Sequence, residues 1–414
     1  MNEPLVNFNS KRFRIYPLII LITTWSIVAI NFCTHSGWQG GFGQIIGQDF
    51  ISFYSAGLLY RYDIEHLYNF EIQQQTQQAL VDDTQLAGVD PFISPPYVAL
   101  AYSPFTLLPL QYSFIIWSLL SLLLIAFTIP LLLRLVPEQS KEINIPWLRL
   151  LVIILSFFPL VLGWQVGQNH SLTLLLITSI LLSSLKNKPV LAGALAGFLI
   201  YKPQFVIGFL IIWLVWREFR ALFSFCCVVV IWVAIAIIQN GISSFQQYAQ
   251  LSNVLLNLPF VEGFPGYLQV TLYGLLTTIF PISIAPKLFN LAYPIMLFFA
   301  ICLAIVAYLY RKRPLSERVP VLFLAVLYPL IATPHALVHD LIILVPIFIL
   351  WSQKPTLRYF YFVLLLFYFG GLLLPTISYI LQVAIMAVIP IGVLIGIISE
   401  YKIMSFRLPE FNRS

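Results

Sequence analysis

Residues 189–216 read PVLAGALAGFLIYKPQFVIGFLIIWLVW, two apolar runs that meet at Lys202-Pro203. Taken as one helix, the stretch crosses a bilayer once and holds Lys202 at mid-membrane, where a cation is costly. Taken as two short helices, 189–201 and 203–216, it goes in and comes back, and the lysine sits at the tip. Proline favours the second reading, because it lacks the N–H of a continuing helix and restricts the residue before it. The choice sets the orientation of everything that follows.

Basic residues elsewhere decide between the two. Ten further apolar runs accompany this pair: 15–32, 111–134, 147–164, 171–185, 221–239, 288–310, 319–333, 340–353, 357–374 and 377–399 join 189–201 and 203–216 to make about twelve transmembrane segments. Threaded alternately with the N-terminus inside, they leave only Arg61, Lys202 and Lys287 of the 22 Lys and Arg residues on the outer side. The inner clusters are Lys11-Arg12-Arg14, 134–149 (with Lys141), 186–188, 217–220, 311–318, 354–358 and 402–413. Such an asymmetry follows the positive-inside rule, and one miscounted span would destroy it. The run at 15–32 has no small-residue cleavage site and reads as an uncleaved signal anchor. Segments 319–333 and 340–353 are also short, and Pro334-His335 between them reads as a second broken helix.

Composition agrees with this class. The 414 residues are 60% hydrophobic and 9% charged, with a mean hydropathy of +0.91, outside the range of soluble domains. A pI near 9.0 then reports topology rather than nucleic-acid binding, which is not expected. Cys33, Cys226, Cys227 and Cys302 lie in or beside apolar runs without metal-ligand spacing and read as packing residues, with no disulfide framework. Most of the 21 Tyr and 9 Trp residues read as interface anchors and lipid-facing packing.

The predicted fold is an all-α polytopic membrane protein, residues 1–414 forming one membrane-embedded domain, with two outer loops at 34–110 and 240–287. The first loop holds Asp49, Asp63, Glu65, Glu71, Asp82, Asp83 and Asp90 with one basic residue. It contains an aromatic amphipathic stretch from Asp49 and the glutamine run 73–78, which reads as helical.

Under this threading Asp49, Gln168, Asn169, His170, Lys202, Gln269, His335, His339 and Asp340 reach one membrane face from separate segments. One shared polar cavity accounts for them. Each has a plainer reading: Asp49 as a helix N-cap, Gln168-Asn169 as a turn, Lys202 as a snorkelling cation. His335 and His339 stand four apart, yet no His-Glu-x-x-His pattern accompanies them, so neither a metal nor another cofactor is expected. A carboxylate base, cationic partners for an anion and amide donors for hydroxyls form a set suited to group transfer from a lipid phosphate.

At these residues the chain resembles glycosyltransferase family 87, polyprenyl-phosphate-mannose-dependent mannosyltransferases of the type C membrane fold. The carriers are Asp49-Phe50 with Tyr54-Ser55-Ala56-Gly57, Leu67-Tyr68, Ser94-Pro95-Pro96, Ser103-Pro104 and Leu108-Pro109. Gly167-Gln168-Asn169, Ala192-Gly193 with Gly197, Lys202-Pro203 and Pro334-His335 through His339-Asp340-Leu341 continue the series to about residue 350. Three positions depart from the family pattern. Ser94 replaces an aromatic residue, His339 a tyrosine, and the Asn-Gln-Ser element survives only as Leu268-Gln269-Val270.

The resemblance implies an inverting hexosyltransferase, for mannose, in the plasma or inner membrane with its site on the extracytoplasmic side. A polyprenyl-phosphate-sugar donor and a lipid or glycan acceptor are its implied partners, beside membrane lipids. Asp49 would be the general base, Lys202 and His335 would meet the donor phosphate, and Gln168, Asn169, His170, Gln269, His339 and Asp340 would contact sugar or acceptor. Two alternatives stay open. A flippase or transporter would show pseudo-symmetric halves and a two-sided polar path, whereas an outer-face polysaccharide polymerase or ligase would share most of these features.

Overall fold

The computed structural model describes residues 11–81, 84–86, 88–136, 146–251, 264–280, 284, 288–352, 359–401 and 403. These residues form eighteen α-helices, short 3-10 turns and no strand beyond isolated bridges. Asp82, Asp83, Lys141 and Lys287 lie outside the described residues, as do the basic clusters at 354–358 and 402–413 and the second outer loop between 252 and 263.

After α1 (Lys11–Cys33) the loop 34–110 carries α2 (Gln48–Tyr62), α3 (Phe70–Leu80) and α4 (Pro96–Tyr102). Then come α5 (Leu110–Leu133), α6 (Trp147–Leu155), α7 (Phe158–Val166), α8 (His170–Leu185), α9 (Pro189–Phe198), α10 (Gln204–Trp216) and α11 (Phe219–Asn240). The remaining helices are α12 (Ser243–Gln250), α13 (Leu272–Ile279), α14 (Ala292–Tyr310), α15 (Val319–Ala332), α16 (Val345–Trp351), α17 (Phe360–Leu381) and α18 (Val388–Glu400).

Helices α1, α5, α11, α14 and α17 are long and apolar enough to cross a bilayer, and α6 with α7 makes a sixth candidate if the bent pair is one span. Six shorter apolar helical units of 10–17 residues accompany them. The chain is therefore a polytopic membrane protein. Each of the expected segments holds one of these units, but half are too short to cross unaided.

Lys202-Pro203 and Pro334-His335 do break their helices. A 3-10 turn, Leu199–Tyr201, ends the first run at Lys202 before α10 begins at Gln204. Beyond α15 the chain is extended at Thr333 and resumes as a 3-10 helix, Val338–Leu344, that runs into α16.

Two boundaries differ from the sequence reading. The segment at 147–164 is not straight: α6 and α7 meet at 67°, with Pro159 in the first turn of α7, where a missing N–H costs nothing. The boundary expected between 357–374 and 377–399 falls inside α17, which also contains Pro375. That helix ends at Gln382, left-handed at φ 53°, and only then turns into α18. A proline inside an apolar helix is tolerated when neighbouring helices cover the freed carbonyl.

Packing separates two cores. The larger runs through the membrane region, and α15 is its axis, with Pro320 through Phe323 and Ala325 through Ala332 all buried. Large apolar side chains cover the outer surface of the bundle, as at Ile238, 83% exposed, and Phe127, 67% exposed, which is what a lipid-facing surface requires. Cys33, Cys226, Cys227 and Cys302 lie on that outer surface as free, exposed thiols, so they are not the packing residues expected from the sequence.

The smaller core belongs mainly to the loop 34–110 and is largely aromatic. Phe50 is fully buried, its ring centroid 5.7–6.3 Å from those of Tyr54, Tyr102, Phe105, Phe114 and Trp117. Rings at these separations attract through offset and edge-on contacts. Many aromatic residues assigned to the interface thus build this core instead. Helix α2 is not amphipathic either: Phe50 through Gly57 are all buried, because α3, α4, the Ser103–Leu107 turn and α5 pack around it.

Candidate active site

Three chain reversals meet around the N-terminus of α2. The first is Gly167, which ends α7 in a left-handed conformation at φ 77°. A Cβ there would lie 2.5 Å from Cβ of Phe50, so glycine alone lets the turn close on α2. The Gly167 carbonyl accepts from Nε1 of Trp117 at 2.8 Å, and the Gly47 N–H donates to the Gln165 carbonyl at 3.0 Å. Gln168 is thereby placed against Asp49.

Gln168 Nε2 donates to Asp49 Oδ2 at 2.7 Å, and Gln168 Oε1 accepts from the N–H of Asn169 at 3.0 Å. Both ends of the amide are engaged, so its orientation is fixed by its partners. Asp49 itself is not the cap of α2. Gly47 holds that position at φ 66°, with no side-chain cap, and Asp49 lies within the first turn, where the helix dipole favours a negative charge. The plainer reading of Asp49 as a capping residue is therefore not what the geometry shows. Gln168-Asn169 makes its turn and also holds the carboxylate.

The second reversal delivers Lys202. Its Nζ lies 2.8 Å from Oδ1 of Asp340, with side-chain exposures of 12% and 4%. The lysine points into the protein rather than snorkelling. Asp340 Oδ2 accepts from the N–H of Leu337 at 3.0 Å, so both carboxylate oxygens have partners, and His339 Nε2 lies 3.6 Å from Oδ1. The oxygens of Asp340 thus hold Lys202 and the loop.

The third reversal, 333–338, pairs with the second outer loop. The N–H of Val270 donates to the Ala336 carbonyl at 3.0 Å and Gln269 Nε2 to the Pro334 carbonyl at 3.3 Å. His335 lies beside Phe264, ring centroids 5.9 Å apart. His335 precedes the 3-10 helix that carries His339, so the two do not share a helical face as a metal-binding pair would. Among the described residues no group of three His, Cys, Asp or Glu side chains could hold a metal ion.

His170 links the reversals. Its Nδ1 is 3.2 Å from the Gln168 carbonyl and its ring centroid 6.4 Å from that of His339. Gly163 makes the approach possible, since a Cβ there would lie 2.7 Å from Nδ1 of His170 and 2.8 Å from Cβ of His339. All nine expected residues are therefore gathered around these turns. Three polar atoms at or beside these turns are buried without a hydrogen-bond partner: Ser171 Oγ, Gln269 Oε1 and His335 Nδ1. Orphaned buried acceptors and donors are rare in folded proteins, and their convergence here marks a place where a polar ligand would complete them.

Burial raises the Asp49 carboxyl to about 6, against the lowering effects of the bonds from Gln168 and Asp90 and of the Lys202 charge. A base with that value is mostly ionised at neutral pH. The space left by Gly163 had no signal in the sequence, and the contact with Asp90 was missed there.

A protein-family model matches residues 92–334 of the chain, more than half its length: glycosyltransferase family 87. The chain belongs to that family. Gln168, Asn169, His170, Lys202 and Gln269 fall within the matched region, while Asp49 lies before it and His335, His339 and Asp340 just after. No curated protein and no solved structure matches the chain. Family membership makes the protein a glycosyltransferase, with a sugar donor and an acceptor, built on membrane helices.

Proposed function

We propose that the protein transfers a hexose, mannose on the family resemblance, from a polyprenyl-phosphate carrier to a lipid or glycan acceptor at the extracytoplasmic face of the plasma or inner membrane. The observation that carries this reading is an ionisable carboxylate, Asp49, held by Gln168 within electrostatic reach of a largely covered cation, Lys202, beside unpartnered polar atoms at the chain reversals. Asp49 takes the proton of the acceptor hydroxyl as its oxygen bonds to the anomeric carbon. The bond from that carbon to the phosphate oxygen breaks on the opposite side, and the electron pair leaves with the phosphate.

Lys202 offers two further N–H directions beside the one used by Asp340; its charge would offset that of the departing phosphate, and His335 would add a hydrogen bond. A monophosphate carries less charge than a nucleoside diphosphate, so these side chains stand in for a metal ion. Gln168, Asn169, His170, Gln269 and His339 would bind sugar or acceptor hydroxyls. Incubation of purified protein and a membrane extract with labelled polyprenyl-phosphate mannose should yield a labelled product whose anomeric configuration is inverted. No transfer from this donor, with transfer from another lipid-linked sugar, would reject mannose; no transfer from any would reject the reading.

Orientation is tested separately. The distribution of basic residues predicts that cysteines placed at Asp49, Asn169 or His335 sit on the outer side and those at Lys186 or Lys312 on the inner side. In a background lacking the four native cysteines, an impermeant thiol reagent should modify position 186 only after the membrane is permeabilised. Modification in sealed cells would overturn the arrangement.

A further inference from the structure

The glutamine run of the first outer loop has a structural purpose that ends at the active site. Gln73 and Gln77, four residues apart on one face of α3, are both buried, at 0% and 1% exposure. Each clamps a passing strand of backbone. Gln77 Oε1 accepts from the N–H of Asp90 at 3.0 Å and its Nε2 donates to the Asp90 carbonyl at 2.7 Å. Gln73 Oε1 accepts from the N–H of Phe92 at 2.8 Å, while its Nε2 donates to the Leu67 carbonyl at 2.7 Å. Tyr68 adds a third tie through its hydroxyl to the Ser94 carbonyl at 2.8 Å. A segment without regular structure is thus held residue by residue, and the side chain it presents is Asp90.

The Asp90 carboxyl lies within hydrogen-bond reach of the carboxyl of Asp49. Two carboxylates have no proton between them, so such a bond exists only when one is protonated. Burial, together with the charge of Asp49, pushes Asp90 well above the usual carboxylate range, whereas Gln168, Lys202 and the bond from Asp90 itself all favour the ionised form of Asp49. The N–H that Asp49 Oδ2 accepts from Gln168 at 2.7 Å makes Asp49 the charged partner, which leaves the proton to Asp90.

We propose that Asp90 is a positioning residue that keeps its own proton and donates it as a hydrogen bond to Asp49, holding the catalytic carboxylate ionised and aimed. This rests on the reading of Asp49 as the base. Asp49 then receives an O–H from Asp90 and an N–H from Gln168 at Oδ2, which fixes the plane of the carboxylate against the acceptor hydroxyl. Asp90 keeps its proton through the reaction; the proton removed from the acceptor goes to Asp49. The other groups acting on Asp49 are Lys202, which favours its charge, and Asp340, which opposes it; Tyr102 also lies within electrostatic range.

The pH dependence of kcat/KM separates this from a merely structural role. Asp90→Ala removes the donor but not the backbone clamp, so the acidic limb of the profile should move upward by about one pH unit, as expected for loss of a hydrogen bond to the charged form. Asp90→Asn keeps an N–H donor and should leave that limb near its original position. Infrared difference spectra at pH 7 give a readout independent of turnover: the protonated-carboxyl band of the wild type should vanish in Asp90→Asn. An acidic limb unmoved in Asp90→Ala, or a carboxyl band that persists in Asp90→Asn, would overturn the proposal. Asp49→Asn distinguishes the two failures. If that variant stays active, the base assignment itself is wrong; if it is inactive while Asp90→Ala behaves as wild type, only the role of Asp90 falls.

Discussion

Asp49→Asn is expected to lower turnover by at least about 100-fold at neutral pH, the low end of what a positioned acid or base contributes, with the fold and donor binding retained. Asparagine keeps the size of the side chain and can still meet Gln168, but it cannot accept the acceptor's proton. The helix loses no cap, because Gly47 rather than Asp49 occupies that position. Turnover, donor affinity and melting temperature measured together on the purified variant check the prediction. Near-normal turnover would end the catalytic assignment.

The wild-type profile carries a second signature of the same group. Burial lifts Asp49 to about 6, so its basic form is lost as the pH falls through that value. Between pH 7 and pH 5 kcat/KM should drop about tenfold, following the ionised fraction of a single group. A rate constant over that interval would place the proton-accepting group elsewhere.

How far the sequence alone reaches depends on the kind of residue involved. Lys202-Pro203 and Pro334-His335 were legible as broken helices because each combines a helix-incompatible proline with a polar group that hydrocarbon does not tolerate. Gln168-Asn169 was legible for the same reason, a polar pair between two apolar runs. The bend between α6 and α7 was not, since an unbroken apolar run is long enough to cross directly and Pro159 suits a helix start as well as a kink. Gly163 lies in that run without a polar neighbour, and its meaning is a distance to His170 and His339 that only the folded chain defines. Asp90 was one acidic residue among several in the loop. Its selection comes from Gln77, thirteen positions earlier, whose amide fixes its backbone. The spacing of Gln73 and Gln77 on one helical face was the available sign, but glutamines at that spacing more often face solvent.

Lys202 and Asp340 form the pair whose disruption should have the largest effect on stability. Removing one member of a buried ion pair leaves the other uncompensated and typically costs about 3–5 kcal/mol, and both side chains here are largely covered, at 12% and 4% exposure. Lys202→Met and Asp340→Asn should each therefore lower the melting temperature in detergent. Combined, they should recover most of the loss, because neither charge then remains to be solvated, and asparagine can still accept from the N–H of Leu337. Activity distinguishes what stability cannot. If the lysine serves only as the counter-ion of Asp340, the double variant regains turnover along with stability. If it also meets the donor phosphate, the double variant folds well but binds the donor at least about tenfold more weakly, the loss of one hydrogen bond to a charged group. A restored melting temperature accompanied by wild-type donor affinity would remove Lys202 from the binding site, and the phosphate would then depend on the histidines alone.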